Sequence, residues 1–248
     1  MFKMRRELQK DEDGNYYYQL DDALWPLVMN FRGERAYSCS VETEIDMTDA
    51  ENFRQDKMKE TGVHISINSL IIKAAADILK NFPILCGTRA DRLDRIVCTD
   101  PNEIRIGIPI QIGDTIRDLT VEKANQKDLL EISKELDERV RYIKEAGTQP
   151  MFDEKKPFEE RRPVFVISNV GTIGPVTSGF GQLGGDITSM LGILSILKKP
   201  VVKNDEIVIR KMMNVILLWD HFAMFASTPV EFLTELKKRL EEPNTYLG

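Results

Sequence analysis

Between Tyr37 and Met47 apolar side chains take the odd positions (Tyr37, Cys39, Val41, Ile45, Met47). Polar ones take the even positions, with Thr43 the one exception. A period of two sustained this long predicts a half-buried strand. Thr48, followed by Glu51 three residues later, has the spacing of a capping box, so a helix is expected to begin there and run to about Glu60. The period then changes. Leu70, Ile71, Ala74, Ala75, Ile78, Leu79 and Phe82 recur at three- and four-residue spacing, predicting a second helix from about Ile67 until Pro83 ends it. Its Ala74-Ala75-Ala76 run suits close packing on a sheet.

Isoleucine at every second position from Ile104 to Ile112 predicts another strand, with Pro109 marking an edge or a bulge. A charged helix is expected over about Lys127–Glu145, carrying the stripe Leu129, Ile132, Leu136, Val140, Ile143. Val164–Ser168, Glu206–Arg210 and Met212–Trp219 read as short strands, and Lys203-Asn204-Asp205 as a turn. Val230, Leu233, Leu236 and Leu240 mark a last helix that stops at Pro243. Strands and helices alternate, so the expected class is α/β, an α+β two-layer sandwich with a mixed sheet covered by helices. Residues 1–36, including Tyr16-Tyr17-Tyr18 and Trp25-Pro26, show no sustained period and read as an arm that packs on a neighbouring surface; residues 37–248 read as one domain.

Composition narrows the partners. The chain has 248 residues, 34 basic and 40 acidic, for a net charge of -6, which argues against a nucleic-acid binder. No apolar run approaches the roughly 20 residues of a membrane span, and the basic start Met1–Arg6 lacks the apolar segment of a secretion signal. Cys39, Cys86 and Cys98 match no disulfide or zinc spacing, so they read as reduced thiols of a cytoplasmic protein. With two histidines and isolated cysteines, no metal site is expected.

That scarcity also limits the chemistry, because a reaction near neutral pH draws on groups that titrate there. His64 stands at the start of the second helix with no nucleophile or carboxylate pattern and reads as a loop or capping residue. His221 follows the apolar run Val215-Ile216-Leu217-Leu218-Trp219 and Asp220, at a strand exit where reactive groups are often placed; a satisfied strand-end histidine is the competing reading. Ser168, in Val164-Phe165-Val166-Ile167-Ser168-Asn169-Val170-Gly171, offers a hydroxyl to a developing oxyanion, or is simply the start of a turn. The glycines of Gly179–Gly185 lack the context of a phosphate-binding loop.

In order, Glu44-Ile45-Asp46-Met47-Thr48, Ile72-Lys73-Ala74-Ala75-Ala76 through Pro83, Ile106-Gly107-Ile108, Ile167-Ser168-Asn169-Val170-Gly171, Pro200-Val201-Val202 and Asp220-His221 resemble the catalytic domain of the dihydrolipoamide acyltransferases of 2-oxo acid dehydrogenase complexes, a fold shared with chloramphenicol acetyltransferase. The resemblance covers about Tyr37 to Pro243. It implies a coenzyme A-dependent acyltransferase in which His221 is the general base and Ser168 hydrogen-bonds the tetrahedral intermediate. It also implies a homotrimer, or a larger assembly of trimers, with Ser168 and His221 of one site drawn from different chains. The histidine motif departs from the family pattern, with Phe222 and Phe225 where Arg and Asp are usual. Cys86 replaces a usual asparagine, and Ile116-Arg117-Asp118 a proline-bearing segment. Residues 1–36 supply no lipoyl-lysine hairpin, so the acyl group is expected to come from acyl-coenzyme A or a separate carrier. A catalytically silent trimeric scaffold and an acyl-coenzyme A binding module are the alternatives.

Overall fold

The computed structural model describes residues 9–10, 16–17, 38–89, 96–112, 115–146, 162–179, 181–184, 187–221 and 223–247. Two two-residue strands, β1 (Gln9–Lys10) and β2 (Tyr16–Tyr17), pair antiparallel; the rest of the expected N-terminal arm lies outside the described residues. The main sheet has six strands. These are β3 (Ser38–Asp46), β6 (Ile106–Ile112), β7 (Thr115–Val121), β8 (Phe165–Asn169), β9 (Ser189–Lys203) and β10 (Glu206–Asp220), in the order β3-β10-β9-β8-β6-β7. β8 runs parallel to both β6 and β9, and the other pairs are antiparallel, so the sheet is mixed. A separate ribbon pairs β4 (Gly87–Arg89) with β5 (Ile96–Cys98).

Four helices supply the second layer: α1 (Thr48–Thr61), α2 (Ile67–Leu79), α3 (Leu129–Ala146) and α4 (Ser227–Glu241), with a short α5 (Pro243–Tyr246) after them. α2 is the central one, and every residue from Leu70 to Ala76 except Lys73 is fully buried. One core joins it to Ile45, Ile106, Phe165, Ile167, Leu191, Ile193, Val215 and Leu217 on one face of the sheet. Phe232 of α4 packs on Phe165, with ring centroids 5.6 Å apart, and edge-on to Phe82 at 6.1 Å. On the opposite face Leu194, Ile216 and Leu218 meet Leu183, with Val170 and Val176 packed against them.

Several expected boundaries move. β9 was not expected, because both of its faces are covered over Leu191–Leu197 and alternation disappears there. The two expected strands 206–210 and 212–219 are one, continued through Arg210 and Lys211 because acidic partners take up both charges. Arg210 bridges Asp46 (2.5 Å) and Asp49 (3.1 Å), and Lys211 pairs with Glu51. The expected capping box at Thr48 is absent. Asp46 accepts from the Thr48 amide, while the Thr48 hydroxyl accepts from the amide of Lys211 and Glu51 is committed to its ion pair. A true reciprocal box stands instead before α3, where the Asp128 carboxylate accepts from the Glu131 amide and the Glu131 carboxylate from the Asp128 amide, each at 2.8 Å. Asn204 and Asp205 both have positive φ, 52° and 64°, which suits the tight two-residue turn joining β9 to β10.

Asp46 closes the top of the sheet onto α1. Burial alone would raise its pKa, but hydrogen bonds from Thr48 and the Arg210 guanidinium outweigh burial and hold the carboxyl below the usual carboxylate range. A lowered folded pKa contributes stability that is complete above the unfolded value of about 3.9 and is lost as pH falls through the lower folded one. Asp46→Asn is expected to cost about 1–3 kcal/mol at pH 7 by urea unfolding. The gap to wild type should close on acidification below about pH 4.

Candidate active site

Ser168 lies one residue from the end of β8, half-buried, with Ile167 turned into the helix-side core. Pairing between β6 and β8 consists of Ile106 with Phe165 and Gly107 with Val166. Beyond that point a cleft of about 390 Å3 opens between Ile108–Gln111 on one side and Ser168–Val170, Thr172 and Ile173 on the other, with Ile116 and Asn68 completing it. Gly107 is tight enough that a Cβ there would fall 2.6 Å from the Cβ of Pro163, so the strands are held close just before they part. Pro109 therefore sits neither on an edge strand nor at a bulge. It lies past the last β6–β8 pair, where the missing N–H breaks no ladder.

The far wall of the cleft is anchored rather than loose. Asn169 donates from Nδ2 to Asn68 Oδ1 (2.7 Å) at the start of α2, and its own carbonyl oxygen Oδ1 accepts from the Gly171 amide (3.0 Å). The amides of Val170 and Gly171 both donate to the Ile193 carbonyl. Gly171 passes so close to β9 that a Cβ would fall 2.3 Å from the Leu194 carbonyl oxygen. Buried Ser195 completes the fastening, donating to the Gly174 carbonyl (2.6 Å) and accepting from the Val176 amide (2.9 Å). Asn68 was not foreseen as part of the site. Its only trace in the chain is a polar side chain, beside Ser69, in the first turn of a helix that is apolar apart from Lys73 and Asp77.

His221 follows β10 directly and is exposed. Asp220 before it is fully buried, and its amide donates to the Thr188 carbonyl (2.9 Å). The chain turns at once, with the amides of Ala223 and Met224 both donating to the Asp220 carbonyl and Met224 buried in the core. This turn leaves the imidazole outside, edge-on to the Phe225 ring at 5.8 Å; Phe222 lies outside the described residues. His64 occupies its expected loop, but the cap of α2 is Ser66, whose hydroxyl accepts from the Ser69 amide, and His64 Nδ1 lies 3.0 Å from the Asp137 carboxylate on the surface.

Within one chain the structure does not bring Ser168 and His221 together. Ser168 is in register with Gly192, and Gly192 with Ile216, so His221 lies five residues farther along β10. At about 3.3 Å per residue, and with two strand spacings of about 5 Å to cross, the residues sit some 16 Å apart along the strands and two strands apart across them. Two separate features result, a cleft that bears a hydroxyl and no charge among its described lining residues, and a turn that bears an exposed imidazole.

Of the other candidates, Cys86 is fully buried, and burial pushes its thiol pKa far up, which leaves it inert. Cys39, Cys86 and Cys98 are all free thiols. Among the described residues, no three His, Cys, Asp or Glu side chains converge on a point, and no helix is long and apolar enough to cross a membrane.

Against known proteins, the model of the acyltransferase catalytic domain of 2-oxoacid dehydrogenases matches residues 32–248. The dihydrolipoyllysine-residue acetyltransferase component of the pyruvate dehydrogenase complex of Rickettsia felis is 28% identical over 207 residues, covering 83% of this chain and 46% of the relative. This chain thus spans about half the length of that relative. In structure, a probable dihydrolipoamide acetyltransferase from Listeria monocytogenes superposes with a TM-score of 0.78 at 23% identity, covering 93% of this chain and 96% of the other. A chloramphenicol acetyltransferase does so with a TM-score of 0.52 at 16% identity, covering 92% and 96%. The shared fold is the one expected.

The fastening of the cleft wall is testable. Ser195→Ala removes a buried hydrogen-bond hub worth about 1–3 kcal/mol, so hydrogen exchange at the amide of Val176 should speed up about 5- to 150-fold. The amides of α2 should be unchanged.

Proposed function

From the premise that the chain belongs to the family of 2-oxoacid dehydrogenase acyltransferase catalytic domains, we propose that residues 37–248 form a coenzyme A-dependent acyltransferase. Its site is completed between neighbouring copies, with His221 of one copy facing Ser168 of the next. One observation carries this reading: His221 and the Ser168 hydroxyl are separated by five residues of register and two strands of one sheet, out of each other's reach, and each is set on an anchored segment. A head-to-tail contact of this kind joins unlike surfaces, and such contacts close into rings, for which a homotrimer fits the family.

The chemistry is then balanced with no covalent enzyme intermediate. The neutral imidazole of His221 takes the proton of the coenzyme A thiol, and the sulfur attacks the carbonyl carbon of an acyl thioester. The C–S bond that forms pushes the carbonyl electrons onto oxygen, where the Ser168 hydroxyl donates a hydrogen bond to the oxyanion. Collapse expels the donor's thiolate, which recovers the proton from the imidazolium. The reverse direction uses the same groups. In this direction the donor is an acyl group on a separate carrier; in the reverse direction the donor is acyl-coenzyme A and the carrier thiol accepts. The free thiols suit a reducing compartment such as the cytoplasm.

His221→Ala should lower kcat by about 10²- to 10⁴-fold and Ser168→Ala by about 10²- to 10³-fold, with circular dichroism and assembly unchanged. Neither variant alone should be rescued, but mixing the two after dissociation and reassembly should restore activity. About a quarter of the sites would then pair an intact serine with an intact histidine. If the mixture stays silent while both variants remain assembled, the shared site is wrong. If acyl-coenzyme A binds but wild type never turns it over, the chain is a binding module.

A further inference from the structure

We propose that the acyl group this site handles is uncharged, apolar and larger than acetyl, held between the isoleucines of the Ser168 cleft and the partner's Phe225. The inference rests on the acyl-transfer reading above and narrows its substrate class.

None of the described residues that line the cleft carries a charge. A dicarboxylic acyl group would bring a carboxylate into this space with no cation among the described lining residues to meet it, which is unfavourable. Beside the uncharged polar groups of Asn68, Gln111, Ser168, Asn169 and Thr172, the lining is aliphatic. Ile108 and Ile110 stand on β6, and Ile116 and Ile173 flank the same opening with 38% and 56% of their surfaces exposed. Single exposed apolar side chains are ordinary, but two large ones on one concave opening beside a reactive hydroxyl form a binding wall. At about 390 Å3 the cleft falls within the range of small-molecule sites, and an acetyl group would leave most of the isoleucine surface wet.

The second half-site supports the same conclusion independently. Phe225 is 75% exposed, and its ring meets the His221 imidazole edge-on at 5.8 Å. Both residues lie on one short turn fixed by the Asp220 carbonyl. Wherever His221 is carried to do its work, this ring travels with it. An aromatic face delivered next to the attacking sulfur closes the cleft with apolar surface, which favours a chain of several carbons over one that ends in a charge. Phe225 is therefore a specificity-determining residue.

The test measures binding as well as turnover. Wild type and His221→Ala are titrated by calorimetry with unreactive thioethers of coenzyme A carrying methyl, ethyl, butyl, isobutyl and 3-carboxypropyl groups, and kcat/KM is measured for the matching acyl-coenzyme A donors with dihydrolipoamide as acceptor. Affinity should rise about 4-fold per added methylene up to butyl. The carboxypropyl thioether should bind at least about 10-fold more weakly than butyl, in both proteins. Phe225→Ala should erase most of the gain from methyl to butyl. Ile173→Lys should narrow the gap between the butyl and carboxypropyl thioethers. Both replaced side chains are exposed, so folding is preserved.

Equal affinity across the series, or no binding by any thioether, overturns the proposal. So does a gradient that neither variant changes. A flat series with turnover that His221→Ala abolishes would leave the acyltransferase reading standing and remove this one. A steep series with no turnover in wild type would do the reverse.

Discussion

The pairing of the two fifteen-residue strands β9 and β10 is the constraint on which the rest of the molecule depends. Turned tightly at Asn204-Asp205, it sets the register of the sheet on both sides, with β3 against β10 and β8 against β9. Because β8 is parallel to β9 and β10 is not, the end of β8 and the end of β10 point in opposite directions. The residue at each end inherits that separation. No side-chain rearrangement overcomes an offset fixed by backbone hydrogen bonds, so a reaction needing both Ser168 and His221 requires a second copy of the chain.

The packing keeps each half-site in position. On the helix side, α2 is buried almost throughout and presents Asn68 to Asn169, tying the serine strand to the core. On the other face the segment after β8 is pinned by the Ile193 carbonyl, by Ser195 and by the close passage of Gly171. The cleft is therefore a gap where pairing of β6 and β8 stops, bounded by rigid elements. Around His221, burial of Asp220 and Met224 on either side leaves the imidazole and Phe225 as the parts of the turn that face outward. Beside His221 stands the aromatic ring of Phe225 and not a charged side chain.

Much of this was legible along the chain, for physical reasons that differ by element. β3 is half-buried and shows clean alternation, and α2, ended by Pro83 after a turn, shows a sustained helical period. β9, covered on both faces, looked only like an apolar stretch, and β10 looked broken where Arg210 and Lys211 find partners far away in sequence. The failure of Thr48 to cap α1 was invisible for the same reason, since its hydroxyl is claimed by a strand more than 150 residues away. Ser168 and His221 could be named from strand ends and from a resemblance. Their separation, the Asn68–Asn169 bridge and the ring against His221 depend on register and turn geometry that no local pattern carries.

The central claim is that the site exists only between copies. A cryo-electron microscopy structure of the assembled protein with coenzyme A bound tests it directly. The account predicts a closed ring in which the His221 imidazole of each subunit lies within hydrogen-bond reach, or one water, of the neighbouring Ser168 hydroxyl, with the thiol between them. A ring in which every His221 stays more than about 10 Å from every Ser168, or a monomer that binds and turns over coenzyme A unaided, would contradict it.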